Sequence, residues 1–94
     1  MYIVVRQYAA AGELGDLLAT RSDEVRDLIG GVPGFVSYYA VRDGDKLMSI
    51  TVCNDRAGTD ESNRIAAAWV KENLPSTTMS APTVGQGEVF LNFT

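Results

Sequence analysis

Hydrophobic and polar positions along the chain switch between a period of two and a period near 3.6, and the switches mark its elements. Tyr2 to Tyr8 is rich in branched and aromatic residues and predicts a strand, with Ile3 and Val5 on one face and Tyr2, Val4, Arg6 and Tyr8 on the other. From about Glu13 to Gly30, Leu14, Leu17, Leu18, Val25, Leu28 and Ile29 recur at helical spacing. Arg21 occupies a place in that stripe, and Ser22-Asp23-Glu24 resembles an N-cap, so an interruption is expected there. Gly30-Gly31 and then Pro33 end the helix.

Gly34–Arg42 and Lys46–Asn54 read as two further strands joined by Asp43-Gly44-Asp45, where Asp-Gly supplies the positive φ a tight hairpin needs. Phe35, Ser37, Tyr39 and Val41 fall on one face, with Val36, Tyr38 and Ala40 on the other. In the third strand Leu47, Ser49, Thr51 and Cys53 oppose Met48, Ile50 and Val52. A second helix opens at Gly58-Thr59-Asp60-Glu61, with Thr59 as cap and the two acids at the positive end of the dipole. Its stripe is Ile65, Ala66, Trp69, Val70 and Leu74, and Pro75 stops it. Ser76 to Pro82 reads as a polar loop, and Gly87 to Phe93 as a last strand alternating Val89, Leu91, Phe93 against Glu88, Phe90, Asn92.

The order is β-α-β-β-α-β, which predicts one α+β domain over residues 1–94 of ferredoxin-like plan: a four-stranded antiparallel sheet with two helices on one face. The helices are expected on the all-apolar sets Ile3/Val5, Met48/Ile50/Val52 and Val89/Leu91/Phe93. The other face mixes Arg6, Tyr8, Phe35, Tyr39, Ser49, Thr51 and Phe90 with Glu88 and Asn92. Too apolar for water and too polar for a dry core, that face is expected to pack on a second copy around a partly polar cavity, giving a homodimer.

Charge narrows the partners. The 12 acidic and 8 basic residues leave a net charge of −4, and no two basic residues are adjacent. Phosphate recognition and docking on anionic lipid both need clustered positive charge, so neither nucleic acid nor a membrane surface is expected. Cys53 is the only cysteine, no signal peptide is apparent, and no apolar run reaches the ~20 residues of a membrane span; a cytoplasmic location is expected. The chain has no histidine. That removes the commonest general base, the histidine-dependent nucleophile systems and the Cys/His zinc sites, so no metal site is expected.

Four stretches together resemble a known family: Val32-Pro33-Gly34-Phe35-Val36-Ser37-Tyr38-Tyr39, Gly58-Thr59-Asp60-Glu61-Ser62-Asn63-Arg64, Ala68-Trp69-Val70-Lys71-Glu72-Asn73-Leu74 and Gly87-Glu88-Val89. They look like the dimeric α/β-barrel group that includes the antibiotic-biosynthesis-monooxygenase-like domains, and the resemblance spans nearly the whole chain. It implies the same fold, a dimer, and a choice among cofactor-free monooxygenases, haem enzymes and small proteins without known activity. The haem branches lean on a histidine ligand that this chain lacks, so no cofactor is expected.

The resemblance also implies roles for Asn63 and Trp69, since related monooxygenases line their pocket with an asparagine and a tryptophan. Asn63 would donate to a developing oxyanion while the protein positions an acidic phenol or anthrone-like substrate that reacts with oxygen directly. Six residues of helix separate the two by roughly 120°, and Trp69 also belongs to the apolar stripe, so a core tryptophan with a surface asparagine is the competing reading. Arg6 is a third catalytic candidate, able to hold an anionic or enolate oxygen; alternatively it pairs with Glu88 or another carboxylate across a dimer. Tyr8, Tyr39, Phe35, Ser49, Thr51 and Phe90 are the candidate ligand-binding residues. Cys53 reads as a small buried thiol. Three functions follow: a dimeric binder of a small aromatic or apolar molecule, a cofactor-free monooxygenase, or a structural module whose faces fill one another.

Overall fold

Seven elements follow one another in the computed structural model, which describes residues 1–9, 11–74 and 81–94. They are β1 (Tyr2–Tyr8), α1 (Gly12–Thr20), α2 (Ser22–Gly30), β2 (Phe35–Asp43), β3 (Lys46–Cys53), α3 (Arg56–Asn73) and β4 (Thr83–Glu88). The strands form one antiparallel sheet in the order β2-β3-β1-β4, the ferredoxin-like arrangement. The expected loop at Ser76–Pro82 lies mostly outside the described residues.

The expected first helix is two. Arg21 leaves helical geometry (φ −111°, ψ 36°), closing α1 through its N–H to Leu17 and opening α2 through its carbonyl to Val25. Ser22 is therefore the first residue of α2 rather than its cap. In α3 the cap is Asp55, whose carboxylate accepts from the Gly58 N–H at 3.1 Å, and the helix begins at Arg56, two residues before Gly58. Asp60 and Glu61 thus fall beyond the first turn, and they pair instead with Arg56 and Arg64. The β2–β3 hairpin turns at Gly44 with φ +61°, as Asp-Gly requires.

The last strand lies four residues earlier than its alternation suggested. Glycines at 85 and 87 break the side-chain pattern, yet this edge strand needs only its backbone to pair, from Tyr2↔Glu88 to Gln7↔Thr83. Val89 N–H still reaches the Met1 carbonyl, but Leu91 and Phe93 are 65% and 84% exposed and cover no helix.

The two sheet faces are also the reverse of the expectation. Val4, Arg6 and Tyr8 of β1, with Leu47, Ser49, Thr51 and Cys53 of β3, are the buried set and meet the helices. Ile3, Val5, Met48 and Ile50 are half-buried on the open face, joined there by exposed Tyr39 and Val41 of β2. Polar residues can take the inner face because they satisfy one another, and every described buried side-chain N or O atom is hydrogen-bonded. A bulge between Phe35 and Ser37 adds one residue, so Phe35 and Tyr38, not Phe35 and Tyr39, share the inner face. The apolar core is Tyr8, Ala11, Leu14, Val25, Ile29, Leu47 and Trp69.

Gly58 lets α3 approach the sheet, because a Cβ there would stand 2.8 Å from both the Cys53 Cβ and the Pro33 carbonyl oxygen. Gly58→Ala is expected to destabilise the protein by about 1–3 kcal/mol in urea titration, despite the better helix propensity of alanine. An unchanged or raised midpoint would refute that close packing.

Candidate active site between sheet and helices

β1 carries Arg6 at the centre of the inner face, 2% exposed. A guanidinium so placed must have its N–H groups met by oxygen. Nε donates to Ser49 Oγ at 3.1 Å, Nη2 to Thr51 Oγ1 at 3.2 Å, and Nη1 to Asn63 Oδ1 at 3.3 Å. Cross-strand pairing of Arg6 with Ser49 fixes the first of these, and Thr51 follows two residues along the same face. Asn63 comes from α3. With its amide oxygen taken by Arg6, its NH2 group is left to donate, and it has no acceptor among the described residues.

Two tyrosines flank the guanidinium, Tyr8 from β1 and Tyr38 from β2 across the bulge. Burial lowers the pKa of Arg6, an effect the two neighbouring tyrosines oppose. Burial raises both phenols, with Arg6 pulling the other way, so Tyr8 and Tyr38 stay protonated hydrogen-bond donors at neutral pH.

Trp69 stands over the same space from α3. Its Nε1–H donates to Glu24 Oε2 at 2.6 Å, and Arg21 donates to Asn73, so the start of α2 is fastened to α3 at two points. Glu24 therefore does more than complement the dipole of α2.

Under Trp69 lies an inner chamber of about 30 Å3, walled by Leu14, Leu18, Val25, Ile29, Ile65 and Val70 and tipped by Arg6, Tyr8, Tyr38 and Ser49, while Thr51 and Asn63 stand outside its lining. It has room for a water or two or a compact polar head, not for a ring. Leu18, Val25, Ile29 and Tyr38 also line a second space, a cleft of about 730 Å3 between α1, α2 and β2 that includes Phe35 and has Arg26 and Arg42 among its lining. The cleft lies in the size range of small-molecule sites.

Of the sequence-predicted residues, the structure brings Arg6, Tyr8, Ser49, Thr51, Asn63 and Trp69 together and puts Phe35 in the cleft. Tyr39 and Phe90 lie elsewhere: Tyr39 is 56% exposed on the open face because the bulge turns it outward, and Phe90 is 92% exposed beyond the end of β4. Arg6 faces the helices and is in no ion pair, with Glu88 or any other carboxylate, among the described residues. Sequence reasoning missed Tyr38, because no signal distinguished the bulge, and Glu24, whose partner is distant in sequence. Cys53 is fully buried, and burial, then Asp55, raises its thiol, which keeps it protonated and inert. Among the described residues no group of His, Cys, Asp and Glu is placed to hold a metal, and no helix is long and apolar enough to cross a membrane.

The fold is ferredoxin-like, and a range of solved structures share it. Solved structures similar to the chain include a protein of unknown function, NE2512, from Nitrosomonas europaea (TM-score 0.73, 19% identity, covering 99% of this chain and 92% of that one). A monooxygenase, ActVA-Orf6 of Streptomyces coelicolor, solved with the ligand nanaomycin D, has TM-score 0.71 and 17% identity over 99% and 90% of the two chains. SnoaB, a cofactor-independent oxygenase from Streptomyces nogalater, has TM-score 0.64 and 16% identity over 97% and 94%. No family model and no curated protein matches the chain. At such identities the likeness is one of fold.

The raised phenols set a pH limit on stability. Their folded values lie above the ordinary 10.0, so the unfolded chain ionises first and stability is lost as pH climbs past about 10. Scanning calorimetry is expected to show a Tm that falls between about pH 9 and pH 11, and falls less in Tyr38→Phe. An equal fall in both would mean that Tyr38 is not the group responsible.

Proposed function

We propose that this is a homodimeric protein that binds a small aromatic or apolar molecule in the space between sheet and helices. The observation that carries the reading is that the polar-tipped chamber and the 730 Å3 cleft are neighbours, with Leu18, Val25, Ile29 and Tyr38 lining both. A ring stacks in the cleft against Phe35 and Tyr38, and its polar substituent points into the chamber. Trp69, the only tryptophan, borders the chamber and reports occupancy through its emission. Titration with a panel of mono- and bicyclic aromatics is expected to quench or shift that emission with saturable binding, and Leu18→Trp, which fills the junction, to abolish binding measured by calorimetry. Absence of saturable binding across the panel would favour a purely structural module.

Support for the dimer comes from the open face, where Ile3, Val5, Met48, Ile50, Tyr39 and Val41 present apolar groups to solvent in a single copy. Ile50 lies at the middle of that face, between Val5 and Tyr39. Native mass spectrometry is expected to give a dimer for the wild type and a folded monomer for Ile50→Glu; a wild-type monomer would remove this part of the reading.

A second reading, a cofactor-free monooxygenase for an activated phenol, quinol or anthrone-like substrate, is favoured by one arrangement. Arg6 holds the oxygen of Asn63, which leaves the amide NH2 without an acceptor among the described residues and free to meet an oxyanion, and similar folds include a monooxygenase and a cofactor-independent oxygenase. Here Asn63, Trp69 and Arg6 are the residues that act on substrate. An oxygen electrode with a panel of phenols, quinols and anthrones decides it. Uptake abolished by Asn63→Ala with the dimer intact supports the enzyme, and no uptake from any substrate rejects it.

A further inference from the structure

The charge of Arg6 has no counter-charge. The oxygens around it are neutral: the hydroxyls of Ser49 and Thr51, the amide oxygen of Asn63 and the protonated phenol of Tyr8. None of the ion pairs among the described residues includes it, and residues 10 and 75–80 contain no acid in the sequence. A second copy docked on the open face cannot supply a carboxylate either, because the sheet stands between. A buried cation satisfied in hydrogen bonds but not in charge is expensive, and a chain needing only to fill a core would place an apolar residue here. Beside the guanidinium, the protonated phenols of Tyr8 and Tyr38 line the same chamber. Acceptors of negative charge are what the site lacks.

From this we infer that the pocket takes an organic anion, a flat apolar body bearing one compact oxyanion, with that oxyanion in the inner chamber against Arg6 and the body in the cleft. The inference rests on the binding reading above and names its ligand class. Size agrees: the chamber of about 30 Å3 admits a carboxylate or an ionised hydroxyl but no ring, and the cleft of about 730 Å3 admits the rings. The sources of the oxyanion, a carboxylic acid or an acidic phenol or enol, share that chemistry and differ in the pH at which they bind. Arg26 and Arg42 in the cleft are the rival source of anion preference, although Arg42 already pairs with Asp16 at 3.2 Å.

The test compares 2-naphthoate with 2-naphthamide, the same shape without charge, by calorimetry and Trp69 emission on the full-length protein. Naphthoate is expected to bind at least about tenfold more tightly at neutral pH, a difference set by charge alone. That preference should persist in the double variant Arg26→Gln/Arg42→Gln, survive in part in Arg6→Lys, and vanish in Arg6→Met. A folded Arg6→Met is verified by circular dichroism; should it not fold, the double variant and the wild-type pair still decide, since loss of preference on neutralising the cleft arginines assigns it to them. Equal binding of acid and amide overturns the anion inference and leaves the pocket reading standing. No binding of either, up to millimolar concentration, overturns both. A 2-naphthol whose affinity rises as pH passes its own ionisation would identify the phenolate source, and a pH-independent affinity the carboxylate source.

Discussion

A guanidinium removed from water must find oxygen around it, and in this protein that requirement organises the middle of the fold. Arg6 ties β1 to β3 through Ser49 and Thr51 and ties both to α3 through Asn63. Removing any one of these contacts strands a buried donor, at a cost of about 1–3 kcal/mol. The same bonds hold the site together: Asn63 turns its oxygen to Arg6, and the tyrosines are held protonated by burial. Structure and chemistry therefore share one set of contacts.

Placing polar residues inside has a consequence on the opposite side of the sheet. Once Arg6, Ser49 and Thr51 occupy the inner face, strict alternation puts Ile3, Val5, Met48 and Ile50 on the outer one. A sheet with its apolar face outward calls for a cover, and a second copy is the cover proposed above. The apolar face, rather than the mixed one, is therefore the face open to a partner, and the cavity lies in the interior of the single chain.

The helix layer is built to leave space. α1 and α2 meet at the single non-helical residue Arg21, and α2 is fastened to α3 by the Trp69–Glu24 and Arg21–Asn73 hydrogen bonds. Those ties hold the layer over the chamber, while the cleft on the β2 side stays open. Solved structures with this fold include a protein of unknown function and a cofactor-independent oxygenase, so the scaffold alone does not set the chemistry.

The element order, the hairpin at Gly44 and the break near Arg21 were legible in the sequence because each rests on local physics: period, turn conformation and cap chemistry. Arg6, Tyr8, Ser49 and Thr51 could be singled out by residue type and shared strand face, and Asn63 and Trp69 through the family resemblance. Which sheet face meets the helices could not, since that depends on hydrogen bonds between residues 43 to 57 positions apart, and apolarity alone pointed the wrong way. Tyr38 instead of Tyr39 was decided by one inserted residue in β2, and β4 by backbone pairing at a sheet edge, where side-chain pattern carries no signal. The sequence determined the inventory of elements and chemical groups; the tertiary structure decided which side of the sheet became the interior, because burying a charge is settled only by the partners that converge on it.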